Sequence, residues 1–160
     1  KYLSEEEIMG IHASFDCFVS ASFGEAWGIP IFDAMAMGKI PISTDTAGPR
    51  DFIEGGGRLV QSEQEPCFGM VDSFKDLYTS KELWDSPKIN DLRKKMRAAF
   101  EDKKENKKMC SIGVEHSYKY SYANIGLLMK QILEGKRQEE RYASPNSNLI
   151  QKVSIEEMVQ

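Results

Sequence analysis

Apolar residues along the first part of the chain come in short runs, and their spacing switches repeatedly between that of a helix and that of a buried strand. Ser4 with Glu7 forms a capping box, and Ile8, Ile11, His12 and Phe15 then recur at helical spacing, which predicts a helix over roughly residues 5 to 14. Asp16 to Ser20, with Cys17, Phe18 and Val19 as an unbroken apolar run, predicts a strand buried on both faces. Ser22, Phe23, Gly24 and Glu25 turn the chain. Pro30 suits the first turn of the next helix, whose body from Ile31 to Met37 is apolar on nearly every side apart from Asp33, and Gly38 stops it. Ile40 to Thr44 predicts a second strand, with Pro41 tolerable only near its beginning. The turn at Ala47, Gly48 and Pro49 opens a short helix around Arg50 to Ile53, Gly55 to Gly57 end it, and Arg58 to Val60 predicts a third strand.

Past Val60 the pattern turns helical. Phe74, Leu77 and Tyr78 come first, followed by a helix capped at Ser86 and Pro87 with Ile89, Leu92, Met96 and Phe100 on one face. The run Lys103, Lys104, Glu105, Asn106, Lys107, Lys108 has acids nearby and no interleaved aromatics, so it reads as a solvated helix end rather than a basic patch. Tyr118, Tyr120 and Tyr122 lead into an amphipathic helix marked by Ile125, Leu128, Met129 and Ile132. From Gln138 to Asn148 the chain is polar, with Pro145 in the middle, and Ser154 with Glu157 offers a last capping box. The expected organisation is an α/β domain over residues 1–137, a short parallel sheet flanked by helices and followed by a helical region, then a linker and tail over 138–160. No internal repeat at solenoid periods interrupts it.

Composition narrows the partners. The 160 residues amount to about one domain, and 21 basic against 25 acidic side chains leave a net charge of −4, the wrong sign for a protein that neutralises a phosphate backbone. Nucleic acid is therefore not the expected partner. Cys17, Cys67 and Cys110 are odd in number and far apart, which indicates reduced core thiols in a cytoplasmic setting rather than a disulfide framework or a zinc site. No apolar run approaches the roughly 18 residues of a membrane span, and no signal peptide is visible, so the chain reads as soluble. It starts at Lys1 rather than Met and reads as a piece of something longer. A six-strand doubly wound domain at roughly 30 residues per strand-helix step needs about 180, so the first half of the sheet is expected to lie outside this chain.

The stretch SFGEAWGIPIFDAMAMG, Ser22 to Gly38, carries the chemistry. It combines a strand end, a loop in which Gly24 and Gly28 let backbone approach a ligand, and a helix N-terminus whose unpaired N–H groups and positive dipole end favour an anion. Open α/β sheets bind ligands outside the carboxyl ends of their strands, where this loop must lie. On those grounds alone the ligand is a nucleotide or another phosphorylated molecule.

The same residues carry a resemblance. LSEEEI, then ASFDCFVSAS, then GEAWGIPIFDAMAMGKIPISTDTAG, then DFIEGGGRLV, over about residues 3 to 60, resemble the C-terminal half of the nucleotide-sugar-binding domain of retaining GT-B glycosyltransferases of family 4. The terminal helix around Tyr122 to Leu133 fits more loosely. The family's pair of acids separated by seven residues matches Glu25 and Asp33, the second being one methylene, roughly 1.5 Å, shorter than the family's Glu. The resemblance implies a Rossmann-like fold and a UDP-, GDP- or ADP-sugar donor. In it Glu25 would meet hydroxyls of the transferred sugar, Asp33 the ribose diol, and the backbone of Gly28 and Ile29 the diphosphate, with Gly24 and Trp27 completing the donor site. The acceptor, a glycan, lipid or protein, would be held by an N-terminal domain beyond this chain. Similar enzymes need no metal in this fold, and neither metal nor cofactor is expected.

Plainer readings stand beside these. Asp33 in a first helical turn is explained by the helix dipole, Glu25 by solvation, and Trp27 reads first as packing. His12 is assigned to a helix-sheet boundary and His116 to a surface turn, neither with a partner at ligand spacing. The second functional class is a non-catalytic, degenerate donor domain that binds a nucleotide or a protein, and the third a nucleotide-sugar epimerase. Without its upstream neighbour the strand at Cys17 to Val19 has a bare edge open to self-association.

Overall fold

The computed structural model describes residues 2–67 and 81–135, which fall into two units, one ending at Ser121 and one starting at Tyr122. The first unit runs α1 (Glu5–Ala13), β1 (Cys17–Ser20), α2 (Ile29–Ala36), β2 (Ile40–Thr44), α3 (Ala47–Phe52), β3 (Arg58–Val60), β4 (Ser62–Pro66), β5 (Leu83–Pro87), α4 (Ile89–Glu101) and α5 (Lys103–Tyr118). The second contains α6 (Tyr122–Leu133). Strands β1, β2 and β3 form one parallel sheet in that order, the α/β architecture that the alternation predicts.

β2 is buried at every position because it has a strand on each side and a layer on each face. Ile31, Met35, Phe52 and Ile53 form the core on one face, with Phe18, Trp27, Phe32, Leu59 and Tyr120 packed against them. On the other face Ile40, Ile42, Val60 and Ala99 meet Cys17, Leu92, Met109 and Cys110. Each fully buried Ile, Phe or Met contributes about 1.5–3 kcal/mol, so these two clusters dominate the fold. Proline in a middle strand is tolerated here for a local reason. Ile40 N–H donates toward β1, to Asp16 O at 3.2 Å, and Asp45 N–H toward β3, to Val60 O at 2.8 Å. By alternation the Pro41 nitrogen faces β3, but the ladder on that side starts only at Ile42 opposite Arg58.

Several expectations are corrected. β1 is not buried on both faces: Val19 is 40% exposed, because α4 and α5 on its side of the sheet lie over β2 and β3. α1 has the expected capping box but buries only His12. After β3 the chain forms the antiparallel pair β4–β5, Ser62 opposite Pro87, rather than continuing as helix. Ser86 and Pro87 therefore belong to a strand, and α4 starts from Lys88 with no side-chain cap. Ile89 and Phe100, expected on the packed face of α4, are 72% and 73% exposed, and Leu92 with Ala99 makes the contact instead. The lysine-rich run is a solvated helix end as expected, the N-terminal end of α5, capped by Asp102. His116 sits in the last turn of α5 rather than a surface turn. The helix expected around Phe74 to Tyr78, the linker from Gln138, the capping box at Ser154 and the boundary at 137/138 lie outside the described residues.

Candidate functional site

The loop from Ser22 leaves the carboxyl end of β1 and enters α2 through Gly28, whose φ of 83° places it in the left-handed region. Its carbonyl accepts from both Ile31 and Phe32 N–H at 2.9 Å. Pro30 has no N–H to satisfy, so the amides of Gly28 and Ile29 are left at the helix mouth. Gly48 lets α3 touch the loop from the side: its N–H donates to Ala26 O at 3.2 Å, and a Cβ there would fall 2.7 Å from Trp27 Cα.

Glu25 is half-buried, and its Cγ lies against Gly28, 3.1 Å from where a Cβ on that residue would be. Asp33 is also half-buried. It occupies the second turn of α2, not the first, because the helix starts at Ile29, ahead of Pro30. The helix dipole consequently does not account for it. Four residues after Ile29, it shares that residue's side of the helix, and Ile29 is 65% exposed. Neither carboxylate makes a hydrogen bond or ion pair with any described residue. Gly24 is exposed, with open space where a side chain would be. Trp27 packs into an aromatic cluster, its ring centroid 5.7 Å from Phe32, 5.1 Å from Phe52 and 4.9 Å from Tyr120.

Other chemistry-bearing side chains are engaged elsewhere. Arg50 is forked onto Asp45, with Nε to Oδ1 at 2.6 Å and Nη2 to the backbone oxygen at 2.8 Å. That hydrogen bond and the Asp45 charge hold its guanidinium above the ordinary arginine pKa. Burial pushes up the thiols of Cys17 and Cys110, so neither is a nucleophile near neutral pH. His12 is 6% exposed and rests between Phe15 and Phe18, away from the loop. Among the described residues no group of three or more His, Cys, Asp or Glu is placed to hold a metal, and no helix is long and apolar enough to cross a membrane.

Residues that sequence reasoning passed over surround the loop. Phe23 stacks on Trp84 of β5 with centroids 4.7 Å apart, and its carbonyl accepts from Asp85 N–H at 2.8 Å. The Asp85 carboxylate accepts from Thr46 Oγ1 at 2.5 Å. β4 and β5 carry no apolar alternation, so only the tryptophan between two polar stretches could have marked them.

A parallel sheet whose carboxyl-end loop opens into a helix at Gly28, with Glu25 and Asp33 on either side of that residue, is the architecture of part of a Rossmann-like α/β domain. Residues 1–115 match the family described as Glycosyl transferases group 1, and the chain belongs to it. Comparison with curated proteins gives no match. Among solved structures, sucrose-phosphate synthase from Thermosynechococcus elongatus is similar in GT-B fold, with a TM-score of 0.60 at 18% identity over 83% of this chain. The chain spans 28% of that protein's length.

The left-handed turn at Gly28 yields a first prediction. Gly28→Ala places a Cβ 2.8 Å from Ile31 Cδ1, a side-chain tip that can move, so the larger penalty is the backbone conformation itself. A loss of about 1–2 kcal/mol in unfolding free energy is expected, measured by denaturant titration with unchanged m value.

Proposed function

We propose that this chain forms the later half of the donor-binding domain of a retaining hexosyltransferase, which takes a UDP-, GDP- or ADP-sugar and passes the hexose to a glycan, lipid or protein. The observation that supports this reading is the pair of half-buried carboxylates, Glu25 and Asp33, without partners among the described residues, around the Gly28 mouth of α2 in a chain of this family. Glu25 accepts from neighbouring sugar hydroxyls and faces the positive charge that develops at the anomeric carbon. The Gly28 and Ile29 amides receive the negative charge that builds on the departing diphosphate. Asp33 accepts from the ribose diol, Gly24 leaves room for the sugar, and Trp27 steadies the donor loop from the core side. The acceptor and the rest of the diphosphate site are supplied by parts of the protein beyond these residues, in a cytoplasmic setting and without a metal ion.

Glu25→Gln in the complete protein is expected to lower turnover by at least about a hundredfold while nucleotide affinity stays nearly constant, because the oriented charge acts mainly in the transition state. Near-normal transfer by that variant, measured as steady-state turnover, means that Glu25 is a solvated loop acid and the site assignment fails.

The short reach of Asp33 favours a second reading, a non-catalytic domain rebuilt around Asp that binds a nucleotide or a protein. Asp33→Glu separates the two. Tighter nucleotide-sugar binding by a factor of about three to ten, read by calorimetry, supports the transferase, since a single charge-assisted hydrogen bond in competition with water is worth roughly that much. A marked loss of binding supports the rebuilt domain.

Self-association is the other partner proposed. Among the described residues β1 pairs only with β2, and its outer edge, with Cys17, Phe18 and Val19, has no charge or proline to blunt it. Ile8, Met9 and Ile11 of α1 are also exposed. These 160 residues expressed alone are expected to dimerise or aggregate in light scattering, with the upstream segment of the complete protein abolishing it. A monodisperse monomer with β1 amides protected from hydrogen exchange on both edges would contradict this.

A further inference from the structure

The Glu25 carboxylate makes no hydrogen bond among the described residues, yet the loop that carries it is held on both sides. Two residues before it, Phe23 lies against the ring of Trp84 and its carbonyl accepts from Asp85 N–H at 2.8 Å. One residue after it, the Ala26 carbonyl accepts from Gly48 N–H at the start of α3. The two holds are joined by one hydrogen bond. Thr46 is the N-cap residue of α3, but its hydroxyl does not cap the helix, and donates to Asp85 Oδ2 at 2.5 Å. A threonine in that place normally satisfies an orphan amide of its own helix, worth about 1 kcal/mol. Here that cap is given up in a residue 3% exposed, in favour of a bond across 39 positions of sequence. The Trp84 Nε1 is buried with no hydrogen-bond partner among the described residues, and its ring meets Phe23.

We propose that Asp85 and Trp84, on the second strand of the β4–β5 pair, are positioning residues that hold the Glu25 loop in its working geometry. The inference rests on the assignment of Glu25 as the acid that faces the sugar. Asp85 couples the loop to α3 through Thr46, Trp84 seats Phe23, and the carboxylate between the two anchored carbonyls is presented without any bond that a sugar hydroxyl would have to displace. Because a misplacement of the order of 1 Å can cost about a hundredfold in rate, partial release of the loop shows in turnover before it shows in binding.

The test uses the complete protein with Asp85→Ala, Asp85→Asn, Trp84→Ala and Trp84→Phe. Asp85→Ala and Trp84→Ala are expected to speed amide exchange in residues 22–28 by about tenfold or more, with β2 and α2 unchanged. In the same variants kcat should fall about tenfold while KM for the nucleotide-sugar moves less than about threefold. Asp85→Asn keeps an acceptor for Thr46, and Trp84→Phe keeps a ring for Phe23, so both should restore loop protection and kcat. Unchanged exchange in residues 22–28 overturns the proposal. So does faster exchange spread equally through β2 and α2, which marks a purely structural role. If the parent protein transfers no sugar, the reading of Glu25 falls, and loop exchange with its rescue by the conservative variants still decides whether Asp85 and Trp84 hold the loop.

Discussion

One carbonyl organises the site. Gly28 O receives the amides of Ile31 and Phe32 at 2.9 Å, and this is possible because the residue sits at a φ of 83°. The bifurcated closure starts α2 abruptly after an irregular loop and leaves two amides facing outward. It also sets the phase of the helix, so that Ile31, Ala34 and Met35 point into the core while Asp33 stays half in solvent. Burial of those apolar side chains anchors the helix, and the anchored helix fixes the direction in which its mouth opens.

The loop before Gly28 has little regular structure and borrows its order from neighbours. α3 reaches it through the bare Gly48, the aromatic cluster pins Trp27 from beneath, and β5 meets Phe23. Within that frame the two acids are conspicuous for what they do not do. A half-buried carboxylate has already lost part of its hydration, and ordinarily regains it from an arginine, a lysine or backbone amides. Asp45 does so with Arg50 and Asp91 with the amide of Gln61. Among the described residues Glu25 and Asp33 do not, which is why the proposed donor role falls on them.

How much of this was legible in the sequence follows from how each element earns its stability. β2 and β3 were readable to the residue, because short β-branched and apolar stretches, Ile40 to Thr44 and Arg58 to Val60, are bounded by the glycines at 38 and 55–57. The capping box of Ser4 and Glu7 was readable because it is local chemistry. β4 was not: Ser62 to Pro66 is polar and largely exposed, and is a strand only because Leu83 to Pro87 pairs with it. α5 was hidden as well, since its apolar contacts, Met109, Cys110, Ile112 and Val114, are side chains grouped around Gly113, where the backbone itself approaches Gly56 and Met35. Asp33 was assigned to the wrong turn because the helix starts at Ile29, ahead of Pro30, where Gly28 closes it. The acids of the site were legible by residue type and order, whereas the supports around them, Thr46, Gly48, Trp84 and Asp85, are brought together only by the fold.

Pro41 shapes the sheet in one more way. Its nitrogen faces β3 with no hydrogen to offer, so the donors that β2 sends in that direction are confined to Ser43 and the following Asp45. The third strand pairs with β2 over its whole length, Arg58 opposite Ile42 to Val60 opposite Thr44, and the glycine turn before it packs against Pro41 instead of joining the ladder. Below the ladder the proline ring therefore holds the turn to the sheet by contact, so close to Gly57 that a Cβ there would fall 2.5 Å from the ring.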